Sequence, residues 1–293
     1  MERLIFTNAR GESVTFGASP PFELVTVEGL GDVKADNITQ KSAFQDGSTY
    51  VDTTLEEREI PVTLIIRGAD YTQITQSRQR LSAVLNPKLG LGTLRYEGGE
   101  TVREIPAIVE ALPTYSDGIN NRGVRYQKAS VYFIAPDPYW RETADTKTEI
   151  VLWESLFEFT LEIPEEGVEL ERRSPTLIVN VVNDGHVDTG MIIRFRALGT
   201  VSNPSLFNVN TQEWIKINRT MVAGEIITVN TNKGRKRIES NINGVTRNIF
   251  NSIVRGSKFL QLEIGDNLFR YDADENLDFL EVDIFHAPKY VGV

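Results

Sequence analysis

The run Phe133-Ile134-Ala135-Pro136-Asp137-Pro138-Tyr139-Trp140 divides this chain in two. Upstream of it, Val124 to Ile134 reads as one long strand. Pro136 and Pro138 end that strand, because each proline removes a ladder donor and fixes the direction in which the backbone leaves. Tyr139 and Trp140 then offer two rings to pack back onto the domain just completed. The segment that follows, Arg141 to Lys147, is polar and is placed as the boundary. Residues 1–140 and 141–293 are therefore read as two domains, which suits a length of 293 residues.

The first domain is mixed but mostly β. Leu4-Ile5-Phe6 and Val14-Thr15-Phe16 flank the turn-like Asn8-Ala9-Arg10-Gly11, and Thr93–Tyr96 and Thr101–Val109 flank Glu97-Gly98-Gly99-Glu100. Both arrangements predict hairpins. Phe22 to Val27 and Ile60 to Ile66 read as further strands. One helix stands out: Asp70 with Gln73 three residues later forms a capping box, and Tyr71, Ile74, Leu81, Val84 and Leu85 recur at helical spacing until Asn86-Pro87. The expected fold is α+β, a single helix on a β-sheet or split barrel. Between Lys34 and Glu57 the sequence is polar, with a turn at Asp46-Gly47. That is too long for an ordinary loop and predicts a functional arm or a two-stranded excursion.

The second domain carries almost no helical signal. Short β-rich segments separated by Asn, Asp and Gly recur at Ser155–Ile163, Pro175–Val182, Met191–Ala197, Leu206–Val209, Glu213–Ile217, Glu225–Val229, Ser257–Ile264 and Leu277–Phe285. This spacing predicts an antiparallel β-sandwich. The final strand, Phe279 to Phe285, fits either domain.

Composition removes whole classes of chemistry. No cysteine is present, so disulfides, cysteine-ligated zinc and thiol catalysis drop out. His186 and His286 are the two histidines, each without a neighbouring His in sequence. Neither a Gly-x-Ser-x-Gly elbow nor a phosphate loop occurs. Asp272-Ala273-Asp274-Glu275-Asn276-Leu277-Asp278 opens like a calcium loop, but Leu277 stands where the turn glycine belongs and Asp283 where the bidentate glutamate belongs, so an acidic hairpin is the better reading. The reading assigns no catalytic residue, no cofactor and no metal. Net charge is −10, against phosphate binding as a main task; the one basic cluster, Lys233, Arg235, Lys236 and Arg237, reads as a solvated hairpin tip. Met1 to Thr15 lacks the apolar core of a signal peptide, and no window suggests a membrane span, so folding in a cytoplasm is expected. Trp153, Trp214 and Tyr271, with Phe269, are candidates for a sugar-stacking face, weighed against the commoner fate of strand aromatics, a buried core.

Over essentially its whole length the chain resembles the distal tail proteins of siphophages and prophages of Gram-positive bacteria. The resemblance rests on Gln45-Asp46-Gly47 and Tyr50, on Arg58-Glu59-Ile60, on the single helix, and most specifically on Phe133 to Trp140. In the second half it rests on the order of Asn183-Asp184-Gly185, Asn203-Pro204, Gly224 to Ile227, Asn230-Thr231, Asn243-Gly244, Gly256-Ser257 and Leu262 to Asn267. It implies a structural virion protein at the tail tip that forms a hexameric ring through its N-terminal domain. The ring would join the tail tube to the hub protein, with a lumen that an acidic chain suits. The polar arm, with Gln45, Asp46, Gly47 and Tyr50, would lie on the neighbouring subunit. A galectin-like or carbohydrate-module-like sandwich would face outward, supporting receptor-binding proteins. The alternative function is receptor recognition, in which that sandwich binds a cell-wall polysaccharide.

Overall fold

The computed structural model describes residues 2–149, 153–155, 171–173 and 178–293; for 153–155 and 171–173 the backbone alone is described. The chain is mostly β and divides into two compact units, Met1–Thr143 with Tyr290–Val293, and Ala144–Lys289.

The first unit contains β1 (Arg3–Thr7), β2 (Ser13–Phe16), β3 (Phe22–Val27), β4 (Ala35–Gln40), β5 (Thr49–Leu55), β6 (Arg58–Arg67), α1 (Tyr71–Val84), β7 (Gly92–Gly98), β8 (Thr101–Val109), β9 (Thr114–Tyr115), β10 (Tyr126–Ala135) and β11 (Trp140–Arg141). Its main sheet runs β2-β1-β7-β8-β10-β6-β3. The two ends of this order meet: the Gly17 N–H donates to the Phe22 carbonyl at 3.1 Å, and the Leu24 N–H donates to the Gly17 carbonyl at 2.7 Å. The sheet therefore curls into a barrel whose two ends meet at this one bridge.

Strict alternation fills the barrel. Ile60, Val62, Leu64 and Ile66 of β6 and Ala129, Val131, Phe133 and Ala135 of β10 point inward, and the Phe6 and Phe133 rings lie 5.0 Å apart. Each such large apolar side chain contributes about 1.5–3 kcal/mol by leaving water. Helix α1 begins as its sequence predicts, with Asp70 accepting from the Gln73 N–H at 2.9 Å and Gln73 accepting from the Ala69 N–H at 2.9 Å. It buries Ile74, Leu81 and Val84, while Tyr71 stays largely in water. After the prolines, Trp140 turns into the same core against Tyr96, their rings 6.4 Å apart.

The second unit contains β12 (Thr146–Glu149), β13 (Trp153–Ser155), β14 (Glu171–Arg173), β15 (Ile178–Asn183), β16 (Thr189–Ala197), β17 (Val201–Ser202), β18 (Ser205–Asn208), β19 (Trp214–Lys216), β20 (Thr220–Met221), β21 (Ile226–Asn230), β22 (Arg237–Ile242), β23 (Val245–Asn248), β24 (Gln261–Leu262), β25 (Gly265–Asp272) and β26 (Leu280–His286). One antiparallel sheet runs β12-β26-β16-β21-β22-β23 and the other β15-β25-β18-β19. Ile193, Phe195, Ile227 and Ile284 from the first share one core with Val181, Leu206, Phe269 and Tyr271 from the second, which makes the unit a sandwich.

Several details differ from the sequence reading. The final strand, which the sequence left open, is β26, and it lies between β12 and β16 in this unit. Tyr290–Val293, read with the second domain, belongs to the first unit. The polar linker read over Arg141 to Lys147 ends in an edge strand, Thr146–Glu149: a ladder needs backbone groups only, and Lys147 adds an ion pair to Asp283 at 3.3 Å. Beyond Ser155, the strand expected through Ile163 lies outside the described residues.

Candidate assembly interface: an exposed arm with a buried root

Strands β4 and β5 pair with each other, from Ala35 opposite Leu55 to Gln40 opposite Thr49, and with no other described strand. The segment read as an arm or excursion is thus a hairpin standing off the barrel. A register shift after Ile38 puts a bulge in the pair. At its tip, Gln45 organises the turn: its side chain accepts from the Ser42 N–H at 3.0 Å and donates to the Thr49 hydroxyl at 3.1 Å. Gly47 takes a left-handed φ of 74° with open space around it, and Asp46 is exposed beside it. Phe44, also left-handed at φ 62°, is fully exposed; Tyr50 is 62 % exposed, and Val51 and Ile38 are also open to water. The structure thus brings Gln45, Asp46, Gly47 and Tyr50 to one hairpin end, and adds Phe44, which sequence reasoning passed over.

The root of the arm has the opposite character. Arg58, the first residue of β6, is 0 % exposed. Its Nε donates to the Pro138 carbonyl at 2.7 Å, Nη1 to the Gly29 and Asp32 carbonyls at 2.8 and 3.0 Å, and Nη2 to the Val291 carbonyl at 2.6 Å. Burial lowers its pKa, opposed by the nearby Asp32 charge. Arginine stays charged even so, and these carbonyl dipoles stand in for the lost water. Sequence alternation held the signal: Arg58 shares parity with Ile60, Val62, Leu64 and Ile66, so the strand that buries them buries it. Tyr290 anchors the returning segment, its hydroxyl donating to Glu142 at 2.8 Å and its ring lying 3.6 Å from the Arg103 guanidinium, which also donates to the Gly292 carbonyl.

Among the described side chains, the sugar-stacking candidates do not come together as an exposed face. Tyr271 is 1 % exposed and Phe269 is buried in the sandwich core, because both sit on inward positions of β25. Trp214 is half-buried on β19, and the Trp153 side chain lies outside the described residues. The acidic stretch near Asp274 is no cation cradle: Asp274 is engaged by Lys216 and Asn203, whose hydrogen bonds hold its carboxyl below the usual range. Among the described residues no cluster of three His, Asp or Glu side chains is placed to hold a metal. The basic cluster is the exposed tip between β21 and β22, with Arg237 paired to Glu239 at 3.3 Å and Lys236 over the Phe259 ring at 5.0 Å.

Comparison with known proteins points to one class of virion component. Residues 9–146 match the family described as phage tail protein, RIFT-related domain, and residues 184–290 match the siphovirus-type tail component, C-terminal domain. Among solved structures, the SPP1 Dit protein, described as a paradigm of the hub adsorption apparatus in phages infecting Gram-positive bacteria, aligns over 99% of both chains with a TM-score of 0.71 at 15% identity. A chain of the phage P2 baseplate in its activated conformation with Ca aligns over 100% of this chain and 99% of its own, with a TM-score of 0.55 at 11% identity. Its counterpart with Sr aligns over 100% of both chains at 0.54 and 10%. A search of curated proteins gave no match.

Proposed function

Because the chain belongs to the siphovirus distal tail protein family, whose members are structural parts of the phage tail and not enzymes, we propose that it builds a hexameric ring in which each copy lays its 34–57 arm on the next. The ring sits at the distal end of the tail, with the tail tube on one face and the hub on the other. The second unit, which has its own core, is then available to carry the adhesion proteins.

The observation that carries this reading is the unaccompanied hairpin. A lone two-stranded hairpin is marginal in water, since it buries too little to offset its ordering entropy. This one exposes Phe44, Tyr50, Val51 and Ile38, while the barrel behind it is closed and its core filled. Burying the Phe44 ring alone on a neighbour would contribute about 1.5–3 kcal/mol per contact. A protruding donor on one side and a different acceptor surface on the other is a head-to-tail contact, and such contacts generate closed rings when the rotation closes.

The test is co-assembly with the tail-tube and hub proteins, comparing the full chain with one in which 34–57 is replaced by a short Gly-Ser link. The full chain should give rings by negative-stain microscopy, and the arm-less chain should stay folded but give none. Rings of equal yield from the arm-less chain would overturn the proposal.

A further inference from the structure

Arg58 reads four backbone carbonyls from separate parts of the chain at once. Gly29 and Asp32 lie where the chain enters the arm, and Arg58 lies where it returns. Pro138 lies just before the chain leaves the first unit, and Val291 just after it comes back. The returning segment touches the arm's entry directly as well. The Val293 N–H donates to the Leu30 carbonyl at 3.2 Å, and Gly292 packs so closely on Gly31 that an added Cβ would lie 3.2 Å from the Gly31 Cα. Gly29 is far tighter: an added Cβ would lie 2.1 Å from the Glu59 carbonyl oxygen.

From this geometry we propose that Tyr290–Val293 is a clasp for the arm. By closing on Arg58 and on Leu30-Gly31, the segment fixes both roots of the hairpin, so the arm is held ready for a neighbour only after the chain has completed the second unit and returned. The physical reason is the accounting of donors. Without Val291, a buried guanidinium faces a missing acceptor, and a buried charged donor tolerates that poorly. It then recovers partners by drawing in water or shifting, and either response loosens Gly29 and Asp32, which share the same side chain. The consequence is a bias on assembly: while the second unit is unfolded, closing that long loop costs entropy, the clasp seats less readily and the arm is slacker.

This inference rests on the arm being the assembly element, but its direct readout does not. Gly292→Val obstructs the seat of the clasp without touching arm or barrel core, and Arg103→Gln removes the stacking on Tyr290 and the donor to Gly292. In each full-length variant, amide hydrogen exchange should accelerate roughly tenfold or more at Gly29–Asp32 and through β4 and β5, while β10 and β21 keep their protection. Ring yield with the hub and tube proteins should fall in parallel. Should one variant fail to fold, the other gives the same readout. Unchanged exchange at the arm in a folded variant overturns the clasp, whatever the arm does. If the arm-less chain still forms rings while these variants loosen the arm, the clasp stands and the ring proposal falls.

Discussion

Replacing Arg58 with Met keeps much of the side-chain volume and removes every donor. Four charge-assisted hydrogen bonds disappear, but so does the cost of desolvating the guanidinium; with that offset, the ordinary net of about 0.5–1.5 kcal/mol per bond brackets a loss of roughly 2–6 kcal/mol. Only the bond to Gly29 is fully buried; the other three acceptors are partly open and can take up water. That places the loss in the lower half of the range, about 2–4 kcal/mol. Units of this size lose about 2–4 °C of melting temperature per kcal/mol, so the first unit should melt about 5–15 °C lower. The second unit, with a separate core, should keep its transition. Arg58→Lys should recover only part of the loss, because an ammonium lacks the planar fork that meets carbonyls in three directions. Differential scanning calorimetry of the full chain, with each transition assigned by hydrogen exchange, measures this. A first-unit transition within about 1 °C of the parent in Arg58→Met would refute the view that this guanidinium holds the root together.

Gly29→Ala should cost the first unit at least about 2 kcal/mol in denaturant melts, since its φ of 79° is strained for alanine and the new Cβ would sit on the Glu59 carbonyl. In the sandwich, Glu225 is 0 % exposed and accepts from Arg219 at 2.7 Å, from the Ser240 hydroxyl at 2.5 Å and from the Val222 N–H at 3.2 Å. Glu225→Ala should lower the second transition by about 3–5 kcal/mol and leave the first unmoved. Asp70→Ala should cost about 0.5–2 kcal/mol through the lost helix cap, read from the same melts. Because Asp274 is held below its usual range mainly by Lys216, whatever stability it adds is present above the unfolded pKa and lost as pH falls through the lower folded value; in Lys216→Ala its NMR titration midpoint should rise towards the ordinary carboxylate value of about 3.9.

Local signals carried much of the fold. Apolar, β-rich runs identified β6 and β10, the Asp70–Gln73 box started the helix at the right residue, and the two prolines placed the exit beside Trp140. Turn chemistry was less fully used: Asn243-Gly244, with φ of 51° and 82°, is the hairpin turn between β22 and β23, two strands too polar to announce themselves by periodicity. Strand β25 went unread for a related reason. Its aromatics Phe269 and Tyr271 alternate with Leu268 and Arg270, and the sequence left a sugar-stacking face open beside the commoner fate, a buried core, which is where the two rings lie. The arm was legible as an anomaly of polarity and length, but the exposure of Phe44 is a tertiary fact. Long-range closure was beyond local reading altogether: nothing near Val291 in sequence says that its carbonyl meets Arg58.

Whether the arm binds a second copy of this chain can be read from a photoreactive amino acid placed at position 44. Rings assembled with tube and hub proteins from an equal mixture of isotopically light and heavy chains would be irradiated and digested, and the linked peptides read by mass spectrometry. An arm seated on a neighbour gives mixed light–heavy links from position 44 to the first unit of another copy, with a covalent ladder of up to six chains. Links confined to the same chain, or running only to the hub or tube protein, would contradict it.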